Sequence, residues 1–134
     1  MTRYRVPSEK SPYYVPREVY LTVIHYCLQY PLWKAELKAM DGVKAIRYDK
    51  EKVQTSPTSD MIHNVAVKRA ELSRKKEGLE RVAREVAGDL DKWLILGVCH
   101  GMTFYQLEYR GIPCGKDLYY AMRKKFYYEM SKEI

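Results

Sequence analysis

The stretch TFYQLEYRGIPCGKDLYYAMRKKFYYEM, residues 103–130, predicts two helices joined by a tight turn. Thr103 and Gln106 are spaced as a capping box, in which hydroxyl and amide satisfy backbone donors that a helix start leaves open. Gly111 can adopt the left-handed conformation that ends a helix, and Pro113 prevents the first helix from continuing. Because a second segment with helical apolar spacing follows, we expect a helix-turn-helix motif.

The second of these helices has two chemically different faces. Its predicted core side consists of apolar residues spaced by four, namely Leu118, Met122, Phe126 and Met130. Its predicted outer side is cationic and aromatic, and it consists of Lys116, Tyr120, Lys124 and Tyr127, with Arg123 at its edge. Charges opposite an apolar stripe occur on any surface helix, but their position after a capped helix and a glycine turn favours contact with DNA.

Composition agrees with a nucleic-acid partner. The 134 residues carry a formal net charge of +7, and 46% of them are apolar, which is enough for one globular domain or a small domain with a helical extension. A basic balance favours anionic partners, with nucleic acid first and an anionic membrane surface second.

The cysteine pattern and the lack of long apolar runs suggest a cytoplasmic protein. Three cysteines without CxxC spacing argue against a disulfide framework and suit a reducing compartment. No signal peptide is recognisable, and the most apolar segment, residues 93–99, is far too short to span a bilayer. We therefore expect a cytoplasmic protein with no membrane partner.

The sequence of the whole chain predicts three parts, and the last of them contains the motif. Residues 1–15 form a basic arm, which either contacts a groove or phosphate or docks its paired tyrosines on the body. Residues 16–88 form a helical hairpin with a kink or split at Pro31 and a linker over 43–60, which we expect to be a short β-hairpin or an ordered loop. Residues 89–134 form a three-helix DNA-binding unit, so the fold class is all-α.

Two apolar patterns support this division. In the long second helix, Ile62, Val65, Leu72, Leu79 and Val82 recur at helical spacing, which also permits pairing with a second copy of the chain. After a break at Gly88, an almost wholly apolar helix runs to residue 99 and would support the motif from behind.

The predicted DNA-binding residues lie in and around the motif. Lys116 and Tyr120 are expected at base edges, and Arg110, Arg123 and Lys124 near phosphates. Asp117 is acidic, and its expected role is to offset the dipole at the helix start. The complete predicted set is Thr103, Arg110, Lys116, Tyr119, Tyr120, Arg123, Lys124 and Tyr127.

Catalysis and metal binding have little support in the sequence. Cys99, His100 and Cys114 lie near the motif, but no pair of them has the spacing of a structural zinc site. No nucleophile, metalloprotease or Walker signature is present either. We expect no enzyme activity and no cofactor.

Three segments resemble small phage-encoded transcriptional regulators of the ArpU, RinA and LtrA kind. They are YYVPREVY at 13–20, YDKEKVQTSPTSD at 48–60 and GIPCGKDLYYAMRKKFYY at 111–128. The C-terminal parts of those regulators are similar to the promoter-reading helix-turn-helix of sigma factors. The resemblance implies an activator or sigma-like regulator of phage or prophage late genes, with double-stranded DNA and host RNA polymerase as partners.

Carried over by position, the resemblance assigns a role to each part of the motif. Thr103 would open the first motif helix, Gly111 would make the turn, and residues 115–125 would form the reading helix. The first motif helix is one residue shorter than the sigma pattern, which affects the angle of the reading helix. Two other functions fit the same elements: a DNA-packaging adaptor, the small terminase subunit of a phage, and a helical protein-binding adaptor that does not bind DNA.

Overall fold

The computed structural model describes residues 5–50 and 59–134, and the side chains of residues 5–41 and 60–134. This part of the chain is all-α and contains no β-strand, which confirms the predicted fold class. Its elements in order are α1 (Arg17–Leu28), α2 (Tyr30–Lys50), α3 (Ser59–Ala87), a 3₁₀ turn (Gly88–Leu90), α4 (Asp91–Val98), α5 (Phe104–Arg110) and α6 (Lys116–Glu133). None of these helices is long and apolar enough to cross a membrane.

The described residues form two compact units. The first contains residues 5–30 and 78–134, and the second contains residues 31–50 and 59–77. The predicted hairpin over 16–88 was wrong for α1, which packs against α6 and α4 in the first unit. An amphipathic stripe shows that a helix is buried on one side, but it does not identify the helix that covers it.

The helices of the first unit enclose one apolar core. α4 packs against α5 and α6, and α1 closes the core from the side of α6. The Tyr20 ring of α1 meets the Tyr127 ring of α6 edge-on, with centroids 5.3 Å apart. Fully buried side chains from five helices fill the centre, among them Ile24, Leu79, Leu94, Leu107 and Phe126.

A close approach between α4 and α6 sets the packing of the first unit. Gly97 of α4 lies against the ring of Tyr119 of α6, and a Cβ at Gly97 would lie only 1.8 Å from the Tyr119 hydroxyl oxygen. That hydroxyl is buried, and it finds no hydrogen-bond partner among the described residues. The contact therefore depends on glycine at position 97.

The N-terminal arm is docked on the first unit. Val15 is buried, and the Tyr13 ring lies edge-on to the Tyr128 ring of α6 at 5.6 Å between centroids. Nearer the terminus the Ser11 N–H donates to the Ser8 carbonyl at 2.8 Å, which makes a turn. Of the two predicted roles, docking of the tyrosines is observed for Tyr13.

The predicted split at Pro31 is confirmed. α1 ends at Leu28, and α2 begins at Tyr30, so that Pro31 lies in the first turn of α2. In that position the absent N–H of proline costs nothing, because the first N–H groups of a helix have no partner within it.

The predicted hairpin or loop at 43–60 was wrong wherever the structure describes this segment. Residues 43–50 continue α2 past Gly42, and residues 59–60 begin α3. Residues 51–58 lie outside the described part. The lysines, alanine and arginine of residues 43–50 are residue types that favour helix. The apolar residues of this segment do not recur at helical spacing, which shows only that the helix has no continuous buried stripe here.

The second unit contains exposed apolar side chains on α3. Lys68 and Arg69 of α3 form ion pairs with Glu36 and Asp41 of α2, respectively. Leu72 is buried, as predicted, but Ile62 and Val65 are 57% and 45% exposed, so the predicted buried stripe was wrong for the first turns of α3.

Candidate nucleic-acid interface

The short helix α5 begins and ends as its sequence predicts. The Gln106 N–H donates to the Thr103 hydroxyl at 3.3 Å, and the Thr103 N–H donates to the Gln106 side-chain oxygen at 2.9 Å. Gly111 has a φ of 97°, and its N–H donates to the Glu108 carbonyl at 3.0 Å. The capping box and the left-handed glycine end are both confirmed, and they fix the length of α5 at seven residues.

The turn after Gly111 leads directly into α6. Ile112 is buried and holds the turn on the core, and its N–H donates to the Leu107 carbonyl at 3.0 Å. α6 then begins at Lys116 after Gly115, which has no side chain to cap the helix. The first backbone N–H groups of α6 therefore have no capping side chain at Gly115 to accept their hydrogen bonds.

Cations and tyrosines alternate across the exposed surface of α5 and α6. We call this surface the cationic-aromatic face, and it consists of Tyr105, Lys116, Tyr120, Arg123 and Lys124. The Lys116 ammonium lies 3.4 Å from the Tyr105 hydroxyl and 5.4 and 5.9 Å from the ring centroids of Tyr105 and Tyr120. The Arg123 guanidinium lies over the Tyr120 ring at 4.6 Å from its centroid.

The contacts of Lys116 keep its charge in place. The hydrogen bond with the Tyr105 hydroxyl raises the pKa of Lys116 above its ordinary value, and the nearby Asp117 carboxylate adds to the effect. Lysine is ordinarily charged at neutral pH, so the ammonium remains cationic and is oriented between two rings. Cations held beside tyrosine rings at the surface suit a polyanion such as nucleic acid.

The structure places six of the eight predicted DNA-binding residues at the surface. Lys116 and Lys124 are exposed, and Tyr120 and Arg123 are half-buried. Arg110 is exposed in the last turn of α5, and Thr103 is exposed, but its hydroxyl is engaged in the helix cap.

The prediction was wrong for Tyr119 and Tyr127. They are 1% and 5% exposed, whereas Leu118, which was predicted to be in the core, is 52% exposed. The physical reason is that α6 is covered by α1 on one side and by α4 on another, so its buried surface is wider than the single stripe that the spacing suggested.

Two exposed tyrosines on α5 were not among the predicted DNA-binding residues. Tyr105 is 66% exposed and Tyr109 is 94% exposed. They are spaced by four, and the buried residues Phe104 and Leu107 occupy another side of α5. That spacing was the available signal, because residues four apart share one face of a helix.

The cysteines and histidines near the motif do not form a site. Cys99 is buried, and burial raises the pKa of its thiol far above the ordinary value. Within residues 5–41 and 60–134 there is no group of three or more histidine, cysteine or acidic side chains that could hold a metal ion.

No protein-family model matches this chain, and comparisons with curated proteins and with solved structures found no significant match.

Proposed function

We propose that this protein binds double-stranded DNA through the cationic-aromatic face and acts as a transcriptional regulator. The observation that carries the proposal is the arrangement of Lys116, Tyr120 and Arg123, in which both cations are held against one tyrosine ring on the solvent-facing side of α6. The cations supply the part of affinity that does not depend on sequence, and the solvent-facing side of a helix can enter the major groove.

The geometry of α4, α5 and α6 supports a helix-turn-helix interpretation. α5 is a short capped helix, Gly111 makes a left-handed end, and α6 follows after four residues with Lys116 and Lys124 exposed in its N-terminal half. In proteins with this motif the second helix reads the major groove and the first crosses the backbone. Residues Lys116, Tyr120 and Lys124 of α6 would then face DNA.

The regulatory role is supported by the sequence resemblance alone. The segments at 13–20, 48–60 and 111–128 resemble phage regulators of the ArpU, RinA and LtrA kind. We accordingly propose a DNA-binding, sigma-like activator of phage or prophage late genes that acts in the bacterial cytoplasm with host RNA polymerase and is not an enzyme.

Fluorescence anisotropy with duplex DNA tests the proposed face. The double variant Lys116→Ala/Lys124→Ala is expected to bind promoter DNA from its own genome at least tenfold more weakly than wild type, about 1.4 kcal/mol or more. The matched control Lys68→Ala/Lys75→Ala removes the same charge from α3 and is expected to bind within about twofold of wild type. Equal losses in the two variants would contradict a dedicated face, and no binding by wild type at low salt would refute the proposal.

A second candidate, a phage DNA-packaging adaptor, is favoured by the exposed apolar side chains of α3. Ile62 and Val65 are more than two-fifths exposed, and such residues commonly mark contacts between subunits. Light scattering separates the two functions, because a ring of eight or more subunits is typical of packaging adaptors, whereas a monomer or dimer suits a regulator.

A further inference from the structure

The N-terminal arm and α6 line a cavity of about 750 Å³ that is open to solvent. Arg5, Val6, Pro7 and Ser8 form one wall, and residues of α1 and α6 form the other. The residues from α1 and α6 are Tyr20, Lys116, Tyr120, Arg123 and Lys124. Four of the five residues of the cationic-aromatic face come from α6, and all four line this cavity. Three of these four are cations.

The cavity is strongly cationic. Arg5, Lys116, Arg123 and Lys124 line it, and no carboxylate is among its described lining residues. Asp117 lies beside Lys116 in the first turn of α6 but does not line the cavity. Four like charges around one space repel one another, and a bound anion would relieve that repulsion.

The start of α6 adds to the attraction for an anion. Lys116 is the first residue of α6, and Gly115 offers no capping side chain. The open backbone N–H groups of this turn favour a phosphate, and the Asp117 carboxylate in the same turn offsets part of the helix dipole. The four cationic side chains that line the cavity therefore supply most of the attraction.

Arg5 lies on the N-terminal arm, which docks on the first unit through residues further along the chain. Val15 is buried, Tyr13 lies against Tyr128, and the Ser11 N–H donates to the Ser8 carbonyl to close a turn. The Arg5 side chain itself is exposed. Val6 and Pro7 are half-buried beside Tyr20 and Tyr120 on the wall of the cavity. An arginine presented on an ordered arm loses less conformational freedom on binding than one on a mobile tail.

We infer that this cavity is a phosphate-binding subsite, in which Arg5 of the arm and Lys116, Arg123 and Lys124 of α6 hold neighbouring phosphates of the DNA backbone, with Arg5 contributing one phosphate contact. The half-buried Tyr120 supplies apolar ring surface against which a sugar of that backbone can pack. The arm thereby fixes the position of α6 on the duplex without reading its sequence.

The inference rests on the proposed function for the source of the phosphate, and a salt titration separates the two. Anisotropy is measured with a duplex of arbitrary sequence at several chloride concentrations for wild type, Arg5→Ala and Lys10→Ala. Lys10 is an exposed cation on the same arm that does not line the cavity, so it is the matched control. Loss of one phosphate contact lowers the slope of log K against log salt by about 0.9.

Arg5→Ala is expected to weaken binding about fivefold to tenfold and to lower the salt slope by about one, whereas Lys10→Ala keeps the wild-type slope. Equal slopes for Arg5→Ala, Lys10→Ala and wild type would overturn the subsite and leave the proposed function standing. Absence of any binding by wild type would overturn the proposed function instead.

A titration with inorganic pyrophosphate tests the cavity without DNA. The backbone amide signals of residues 5–8 and 116–124 are followed by NMR at constant ionic strength. Shifts at these residues in wild type, reduced in Arg5→Ala, are expected and show a phosphate subsite whatever the source of the phosphate. No shifts in wild type would overturn the subsite.

Discussion

Raising the pH above about 10 is expected to unfold the first unit steeply, because four buried tyrosines must lose protons when the chain unfolds. Tyr20, Tyr30, Tyr119 and Tyr127 are all at most 5% exposed. Burial raises the pKa of each hydroxyl, and the Tyr30 hydroxyl also donates to the Glu80 carboxylate at 2.5 Å. The nearby charge of Arg123 lowers the pKa of three of them, but burial has the larger effect.

The sign of this effect follows from proton binding. Below about pH 10 the tyrosine hydroxyls are protonated in both the folded and the unfolded chain, so they do not make the free energy of unfolding depend on pH. Above that pH the unfolded chain releases protons that the folded chain keeps, so each tyrosine lowers the free energy of unfolding by about 1.4 kcal/mol per pH unit. Burial raises the pKa of Tyr30 and Tyr127 the most, so these two lower it by about 2.7 kcal/mol per pH unit together, and Tyr20 and Tyr119 add to this until they ionise in the folded chain. A loss of this size is a large fraction of the stability of a small domain.

Two buried thiols act in the same direction at slightly lower pH. Burial raises the pKa of Cys27 to about 12, and it also raises the pKa of Cys99. Helix content by circular dichroism and tyrosinate absorbance, measured together against pH, check the prediction. The ionisation of the buried tyrosines is expected to coincide with loss of helix, and Tyr127→Phe is expected to make the transition less steep. Ionisation of every tyrosine with the helices intact would contradict it.

The substitution Gly97→Ala is expected to destabilise the first unit by about 2–3 kcal/mol, although alanine favours helix over glycine by about 1 kcal/mol. The new Cβ would lie 1.8 Å from the Tyr119 hydroxyl oxygen and 2.9 Å from the ring carbon that bears it. Tyr119 is buried between α4 and α6, so the ring can move only if the helices separate. Urea unfolding followed by circular dichroism measures the loss.

Two further variants isolate the clash. Gly78→Ala is the matched control in the middle of α3, where nothing lies within 4 Å of an added Cβ, and it is expected to stabilise by up to about 1 kcal/mol. Tyr119→Phe removes a buried hydroxyl that has no partner among the described residues, so it is expected to be neutral or stabilising by about 1 kcal/mol. In the background of Tyr119→Phe, Gly97→Ala is expected to cost less than in wild type, and an unchanged cost would contradict the proposed contact.

Local signals in the sequence were sufficient for the ends of α5. Thr103, Gln106 and Gly111 act on backbone groups within a few residues of themselves, so their conformations follow from chemistry that the sequence displays directly. The split near Pro31 and the break at Gly88 were predictable for the same reason.

Which side chains of α6 are buried could not be predicted from the spacing of its apolar residues. Tyr119 and Tyr127 lie in the core because both α1 and α4 cover α6, and the identity of those partners is set by the tertiary structure. The continuation of α2 through 43–50 was not predicted, because a helix whose apolar residues do not recur at helical spacing cannot be distinguished from a loop by periodicity.

The candidate site was only partly predictable. Lys116, Tyr120, Arg123 and Lys124 were named from helical spacing, and the structure brings them together around one cavity. Tyr105 was missed, and Arg5 was predicted only as part of a basic arm that either contacts a groove or phosphate or docks on the body. Both residues come from segments other than α6, so helical spacing on α6 could not identify them.

NMR mapping identifies the surface that contacts DNA residue by residue. Spectra of isotope-labelled protein are recorded with and without a short duplex DNA, and the changes in backbone amide signals are assigned to residues. The largest changes are expected on residues 105–110 and 116–124, with a second group at 5–8, and residues 62–76 of α3 are expected to change little. Changes concentrated on α3, or none on α6 while DNA is bound, would contradict DNA binding through the cationic-aromatic face.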